Sequence, residues 1–181
     1  MMPPPSSALA LDFRLLSSEA EVHAAHRLEA AGYSEDEGAS LESMLYRYRN
    51  AQHLFLGAFD LQTTLVGYIM STQVAAPLVT HDSMSVHDPQ GTTVCVHSVC
   101  VGPQWQRRGV AQRLLEEYTE LVRKYNQECM SSADMEERIS RIAMLSRADL
   151  VQLYERAGYH CLGPSTVIHG SEQWVDCVLD L

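Results

Sequence analysis

The stretch Val94 to Leu115, VCVHSVCVGPQWQRRGVAQRLL, places groups with different chemistry close together. His97 stands in a run that is otherwise apolar except for Ser98. An imidazole titrates near neutrality, so it can take a proton from a reacting group. Beyond the run comes Gln106-Arg107-Arg108-Gly109-Val110-Ala111, a basic turn before a segment of helical periodicity. A helix N-terminus leaves N–H groups unpaired, and its dipole favours an anion. Gly109 lets the backbone approach a bulky phosphate, and Ala111 is small enough for the helix start to lie near the strand. Arg107 and Arg108 add charge at the mouth. No G-K-[ST] follows and no G-x-G-x-x-G is present, which excludes a Walker loop and a Rossmann turn. Farther along, Tyr154 follows a predicted strand by less than three helical turns, which aims its hydroxyl at the same cleft. Singly, each feature has a plainer reading: a hydrogen-bonded core histidine, an aromatic on a helix face, an ordinary helix start. Their conjunction favours a reaction site.

Positioning these groups requires strands and helices in alternation. Residues 13–17 read as a short strand. Ser18 with Glu21 has the S-x-x-E spacing of a capping box, and Val22, Ala25, Leu28 and Ala31 recur at helical spacing up to Gly32. Residues 40–50 read as a second helix, and 53–59 with 64–74 as a hairpin. Residues 75–91 form a long polar loop, of a length often found at functional sites. The run 92–101 is apolar on both faces, as a central strand is. Residues 109–123 form a helix with Val110, Leu114, Leu115, Tyr118, Leu121 and Val122 inward. A polar, acidic excursion follows. Residues 141–146 are a strand, 147–159 a helix closed by Gly158, and 160–163, 165–170 and 173–181 further strands. The class is α/β (α+β) around a mixed sheet.

With 181 residues, the chain fits one domain over 11–181 behind a flexible tail at 1–10. Its 46% apolar content and mean hydropathy of -0.14 suit a soluble protein. No run reaches the ~18 apolar residues of a membrane span. The start lacks a basic n-region, so no signal peptide is expected. The net charge of -10 argues against nucleic acid and suits a cationic small substrate. The five cysteines include no CxxC pair. Cys95 and Cys100 are an odd number apart on one strand, which places them on opposite faces. Reduced thiols in a cytoplasmic protein are expected. His23 and His26 are three apart on a helix, but no third metal ligand is in view. A monomer without metal is the expectation.

The strand, turn and helix around Gln106–Ala111 resemble motif A of the GCN5-related N-acetyltransferase (GNAT) superfamily. The stretches 83–101, 150–174 and LDFRLLSSEAEVHAAHRLEAAGY are similar to those of its serotonin (arylalkylamine) N-acetyltransferase branch. The likeness spans residues 11–181, with an extra acidic segment near 126–137. It implies a mixed, mostly antiparallel sheet with a splayed central strand pair, flanked by helices. It also implies an acetyl-CoA-dependent transfer to the primary amine of an arylalkylamine, by direct attack in a ternary complex. His97 takes the place of the branch's catalytic base and Tyr154 that of its general acid. Val99, Cys100 and Val101 match the strand that pairs with the pantetheine arm. Gln106, Arg107, Arg108, Gly109, Val110 and Ala111 match the pyrophosphate turn. Tyr33, Leu145 and Trp174 match the amine pocket. His169 and Glu172 fall where apolar residues are expected, and favour a more hydrophilic amine or face solvent. Cys95 replaces the first of two histidines usual in vertebrate members. A neutral thiol is a poor proton acceptor, so His97 is expected to serve alone. The partner-binding terminal arms of vertebrate members have no counterpart. A polyamine or protein-lysine acetyltransferase and a non-catalytic acyl-CoA-binding module are the competing readings.

Overall fold

The computed structural model describes residues 9–33, 38–129, 138–168, 170–171 and 173–181. Two serines set the first helices. Ser18 caps α1 (Glu19–Gly32), accepting from the Glu21 N–H, and Ser40 caps α2 (Leu41–Ala51), accepting from the Ser43 N–H. A side-chain oxygen there replaces a missing intrahelical acceptor. The Glu21 carboxylate reaches back to the Ser17 N–H at 2.7 Å, one residue before the position a capping box predicts.

Strand β1 (Asp12–Leu15) pairs with β2 (Phe55–Phe59), which turns back into β3 (Leu65–Val74). Asp60 builds the turn, its Oδ1 accepting from the N–H groups of Gln62 and Thr64. β4 (Thr93–Val101) lies antiparallel to β3 and parallel to β5 (Arg141–Arg147). β7 (Trp174–Asp180) runs between β5 and β6 (His160–Pro164). The seven strands are ordered β1-β2-β3-β4-β5-β7-β6. The parallel pairing of β4 with β5 ends at Val96 and Met144, although both strands continue. The pair therefore splays, as expected.

Helices α3 (Val110–Cys129) and α4 (Val151–Arg156) bound one face, where Leu114, Leu115 and Tyr118 are fully buried among Val94, Val96 and Ile142. Each such side chain contributes on the order of 1.5–3 kcal/mol by leaving water. On the other face Val22, Ala25, Met44 and Tyr48 of α1 and α2 pack on Phe55, Tyr68, Met70 and Cys100.

Three elements depart from expectation. α3 runs six residues past Arg123, because Asn126 on its inward stripe exchanges two bonds with the backbone of Ile139. Residues 165–168 form no strand; the Ser165 hydroxyl accepts from the Val167 N–H, a local turn that competes with a ladder. Cys161 and Cys177 form a disulfide instead of two thiols, because the register of β6 on β7 sets them directly opposite each other. Cys95 and Cys100 are buried free thiols.

Candidate active site

The splay opens beside an irregularity in β4. Ser71 of β3 pairs with Val96, but Met70 pairs with Ser98, so His97 is an extra residue without a partner in the ladder. This is a β-bulge, which re-aims a side chain out of the regular alternation. It overturns one expectation. Cys95 opposes Thr72 and Cys100 opposes Tyr68. Thr72 and Tyr68 are four apart on an unbroken strand and share a face, so Cys95 and Cys100 share it too. Their odd spacing is cancelled by the bulge. They are held apart along the strand and remain unbonded.

Nε2 of His97 lies 2.7 Å from Oγ1 of Thr72. Part of the residue's surface stays accessible, but Nδ1 is enclosed and has no hydrogen-bond partner among the described residues. Burial, assisted by the positive charge of Arg47, holds the imidazole well below its ordinary pKa. The ring is therefore neutral at pH 7. A neutral ring whose Nε2–H donates to Thr72 keeps a lone pair on Nδ1.

A small cavity of about 40 Å³ adjoins His97. Its walls are Glu29, Tyr33, Val79, Met84, Val96, Leu145 and Trp174. The fold thus brings the expected Tyr33, Leu145 and Trp174 together around the imidazole. The Tyr33 hydroxyl donates to the Val99 carbonyl at 3.2 Å, tying the end of α1 to the splayed part of β4. The Arg147 guanidinium lies 5.9 Å from the ring centres of both Tyr33 and Trp174, a cation–π arrangement at the same wall. His169 and Glu172 lie outside the described residues.

Tyr154 projects from α4 into the core and meets Tyr159 edge-on, with ring centres 6.1 Å apart. Burial pushes its phenol up to about 12, with the charge of Asp149 adding to the shift. The Tyr33 phenol is raised first by burial and next by Tyr154, which places the two phenols within electrostatic reach. Tyr154 is not among the residues that line the cavity or the groove.

Between the β4–α3 turn and α4 runs a groove of about 980 Å³. Val101, Gln106, Arg107, Gly109, Val110 and Ala111 form one wall, and Gln152, Leu153 and Arg156 belong to the other. The turn is wound by two left-handed residues, Arg107 at φ 57° and Gly109 at φ 80°. Gly109 is suited to that conformation, because a side chain there is strained even though a Cβ would meet nothing within 4 Å. The Gln106 side chain donates to the Val101 carbonyl, fastening the turn to the strand end. Three expected residues are not among the groove's walls. The guanidinium of Arg108 folds back over Trp105, 5.1 Å from its ring centre. Cys100 turns to the α1 face, where burial raises its thiol to about 12. Val99 packs toward the α3 side.

Sequence reasoning passed over Glu29, Arg47, Thr72 and Arg156. Glu29 was readable as an acid seven residues after Val22 and four after Ala25, on the inward stripe of α1. Arg156 carries no comparable signal, since it joins the groove only through the packing of α4.

The family model of the GNAT acetyltransferases matches residues 22–159. This chain belongs to that family. Among solved structures it is similar to the GNAT-like decarboxylase GphF in complex with isobutyryl-CoA (TM-score 0.73, 16% identity, covering 93% of this chain and 98% of that one). It is similar also to a chain of the NatC complex bound to Gag peptide and CoA (TM-score 0.70, 15% identity, 94% and 98% covered). The ribosomal-protein-S18-alanine N-acetyltransferase from Escherichia coli is a further match (TM-score 0.60, 15% identity, 94% of each chain). At these identities the likeness speaks for the fold. Among the described residues no group of three His, Cys, Asp or Glu is placed to hold a metal, and no helix is long and apolar enough to cross a membrane.

Proposed function

We propose that this acetyltransferase moves the acetyl group of acetyl-CoA to the primary amine of an arylalkylamine such as tryptamine or serotonin. One observation carries the reading: an imidazole with an unengaged Nδ1 shares a cavity with Tyr33, Leu145 and Trp174, on the strand β4 whose end, Val101, lines the separate groove of the Arg107–Ala111 turn. Two aromatic faces and an apolar wall suit a flat ring. The groove suits an acyl-CoA, with the pyrophosphate against the N–H groups that open α3 and the guanidiniums of Arg107 and Arg156 beside it. The pantetheine arm runs along β4 toward Val99.

The amine nitrogen attacks the thioester carbonyl. An alkylamine with a pKa of about 10.4 is nearly all protonated at pH 7, so attack requires an acceptor for the proton. Nδ1 of His97 is that acceptor, directly or through water. The C–N bond forms as the carbonyl π electrons move onto oxygen, and a backbone N–H in the splay stabilises the oxyanion. Collapse breaks the C–S bond and expels the coenzyme thiolate. Tyr154, with its phenol near 12, keeps its proton and donates a hydrogen bond to the sulfur. Full transfer to a thiol of pKa about 8.5 is uphill, so the phenol acts mainly by stabilising the departing charge until solvent completes the protonation.

Initial rates with tryptamine, phenylethylamine, spermine and a histone-tail peptide test the assignment. The arylalkylamines should show the highest kcat/KM. A preference for spermine or the peptide would move the chain to the polyamine or protein-lysine class. Tight coenzyme binding with no turnover of any amine would make it an acyl-CoA-binding module.

A further inference from the structure

Helix α1 carries a carboxylic acid where its inward stripe calls for an apolar residue. Glu29 is buried on the face it shares with Val22 and Ala25, and it borders the cavity of His97. A buried carboxylate is costly unless donors replace the water it loses. Three donors converge on it. The Ala39 N–H, at 2.8 Å, and the Ser98 hydroxyl, at 3.1 Å, reach Oε1, and the Tyr68 hydroxyl reaches Oε2. Every partner donates, which suits the ionised, acceptor-only group. Burial raises the Glu29 pKa, while the bonds from Ala39 and Ser98 and the charge of Arg47 oppose that shift. Arg47 in turn donates to the Met84 carbonyl at 2.8 Å, and Met84 lines the cavity.

The position of Ser98 gives this network its meaning. In an unbulged β4, Ser98 would follow His97 onto the opposite face of the sheet, toward α3. The bulge keeps it beside Met70 on the α1 face, and there its hydroxyl meets Glu29. A strand that can slip by one residue reverses every side chain beyond the slip. The carboxylate therefore rewards only the bulged register, the one that takes His97 out of the ladder and sets it at the cavity.

We propose that Glu29 is a positioning residue: acting through Ser98, it holds the β4 bulge in the register that presents His97. The proposal rests on the reading of His97 as proton acceptor. Its test compares Glu29→Gln, Ser98→Ala and the double variant in the full chain. Glu29→Gln should lower kcat for tryptamine roughly 10- to 100-fold, as small misplacements of a reacting group do, and leave the acetyl-CoA KM unchanged. Ser98→Ala should lower it in the same sense, and the double variant should lose little more than the worse single one, since the two residues act as a unit. The side-chain nitrogen and proton NMR signals of His97 in the coenzyme-free protein should shift in both single variants. Additive losses, or an acetyl-CoA KM that rises in step with the fall in kcat, would overturn the proposal. So would an unmoved His97 spectrum, and that spectrum decides even where no amine is turned over, the outcome that instead defeats the functional reading. If Glu29→Gln does not fold, an unmoved spectrum in Ser98→Ala is sufficient to refute it.

Discussion

The groove and the cavity are built on opposite plans. Much of the groove comes from one unbroken turn, Gln106 to Ala111, and its shape follows from two left-handed backbone conformations and the start of α3. The cavity has no such local source. Glu29 comes from α1 and Tyr33 from the residue that caps its end, Val79 and Met84 from the loop after β3, His97 from a bulge, Leu145 from β5 and Trp174 from β7. A backbone site needs a few residue types at fixed spacing. A side-chain site needs the whole sheet in register. The first plan survives wide sequence drift, and the second is free to change with the substrate.

Substitutions that strike one region and spare the other sharpen this contrast. The largest effect belongs to the cavity. His97→Gln should lower kcat for tryptamine by about 10²- to 10⁴-fold, the usual worth of a positioned proton acceptor, with acetyl-CoA affinity retained. Steady-state kinetics with each substrate varied in turn would show it, and equal losses in both substrates would erase the distinction. The groove should respond in reverse. Gly109→Val places an L side chain in the left-handed region, at a cost of roughly 1–2 kcal/mol, and should raise the acetyl-CoA Kd about tenfold. Calorimetric titration measures this, and His97 should be undisturbed in the same protein.

The smallest effect is a displacement along the pH axis. Burial and Arg47 lower the pKa of His97, so the neutral, proton-accepting ring persists below the ordinary imidazole value. The acidic limb of kcat that belongs to His97 therefore lies below about pH 6.5. Arg47→Met removes a charge that opposes the imidazolium, and should move that limb to higher pH. The same depressed pKa implies that the unfolded chain binds this proton first, so His97 contributes a loss of stability as pH falls below about 6.5. A pH–rate profile and a pH series of thermal unfolding check the two consequences.

The same contrast explains what was readable from residue order. The groove could be read because its determinants are consecutive. His97 could be read because a titratable residue interrupts an apolar run. The bulge was missed in a run apolar on both faces, although its valines step from 94 and 96 to 99 and 101, an odd interval across His97-Ser98. The faces assigned to Cys95 and Cys100 were wrong for that reason alone. Glu29 was hidden because the stripe was traced through its neighbours Leu28 and Ala31, and the polar Asn126 concealed the last turns of α3. The Cys161–Cys177 bond depends on the register of β6 against β7, which no spacing encodes.

The most direct measurement is a crystal structure with a conjugate of coenzyme A and tryptamine that mimics both substrates at once. The pyrophosphate should lie against the backbone of Arg107 to Ala111, the indole between Tyr33 and Trp174, and the linking nitrogen within reach of Nδ1 of His97. An indole seated away from those rings, or a nitrogen remote from the imidazole, would contradict the union of groove and cavity in a single reaction site.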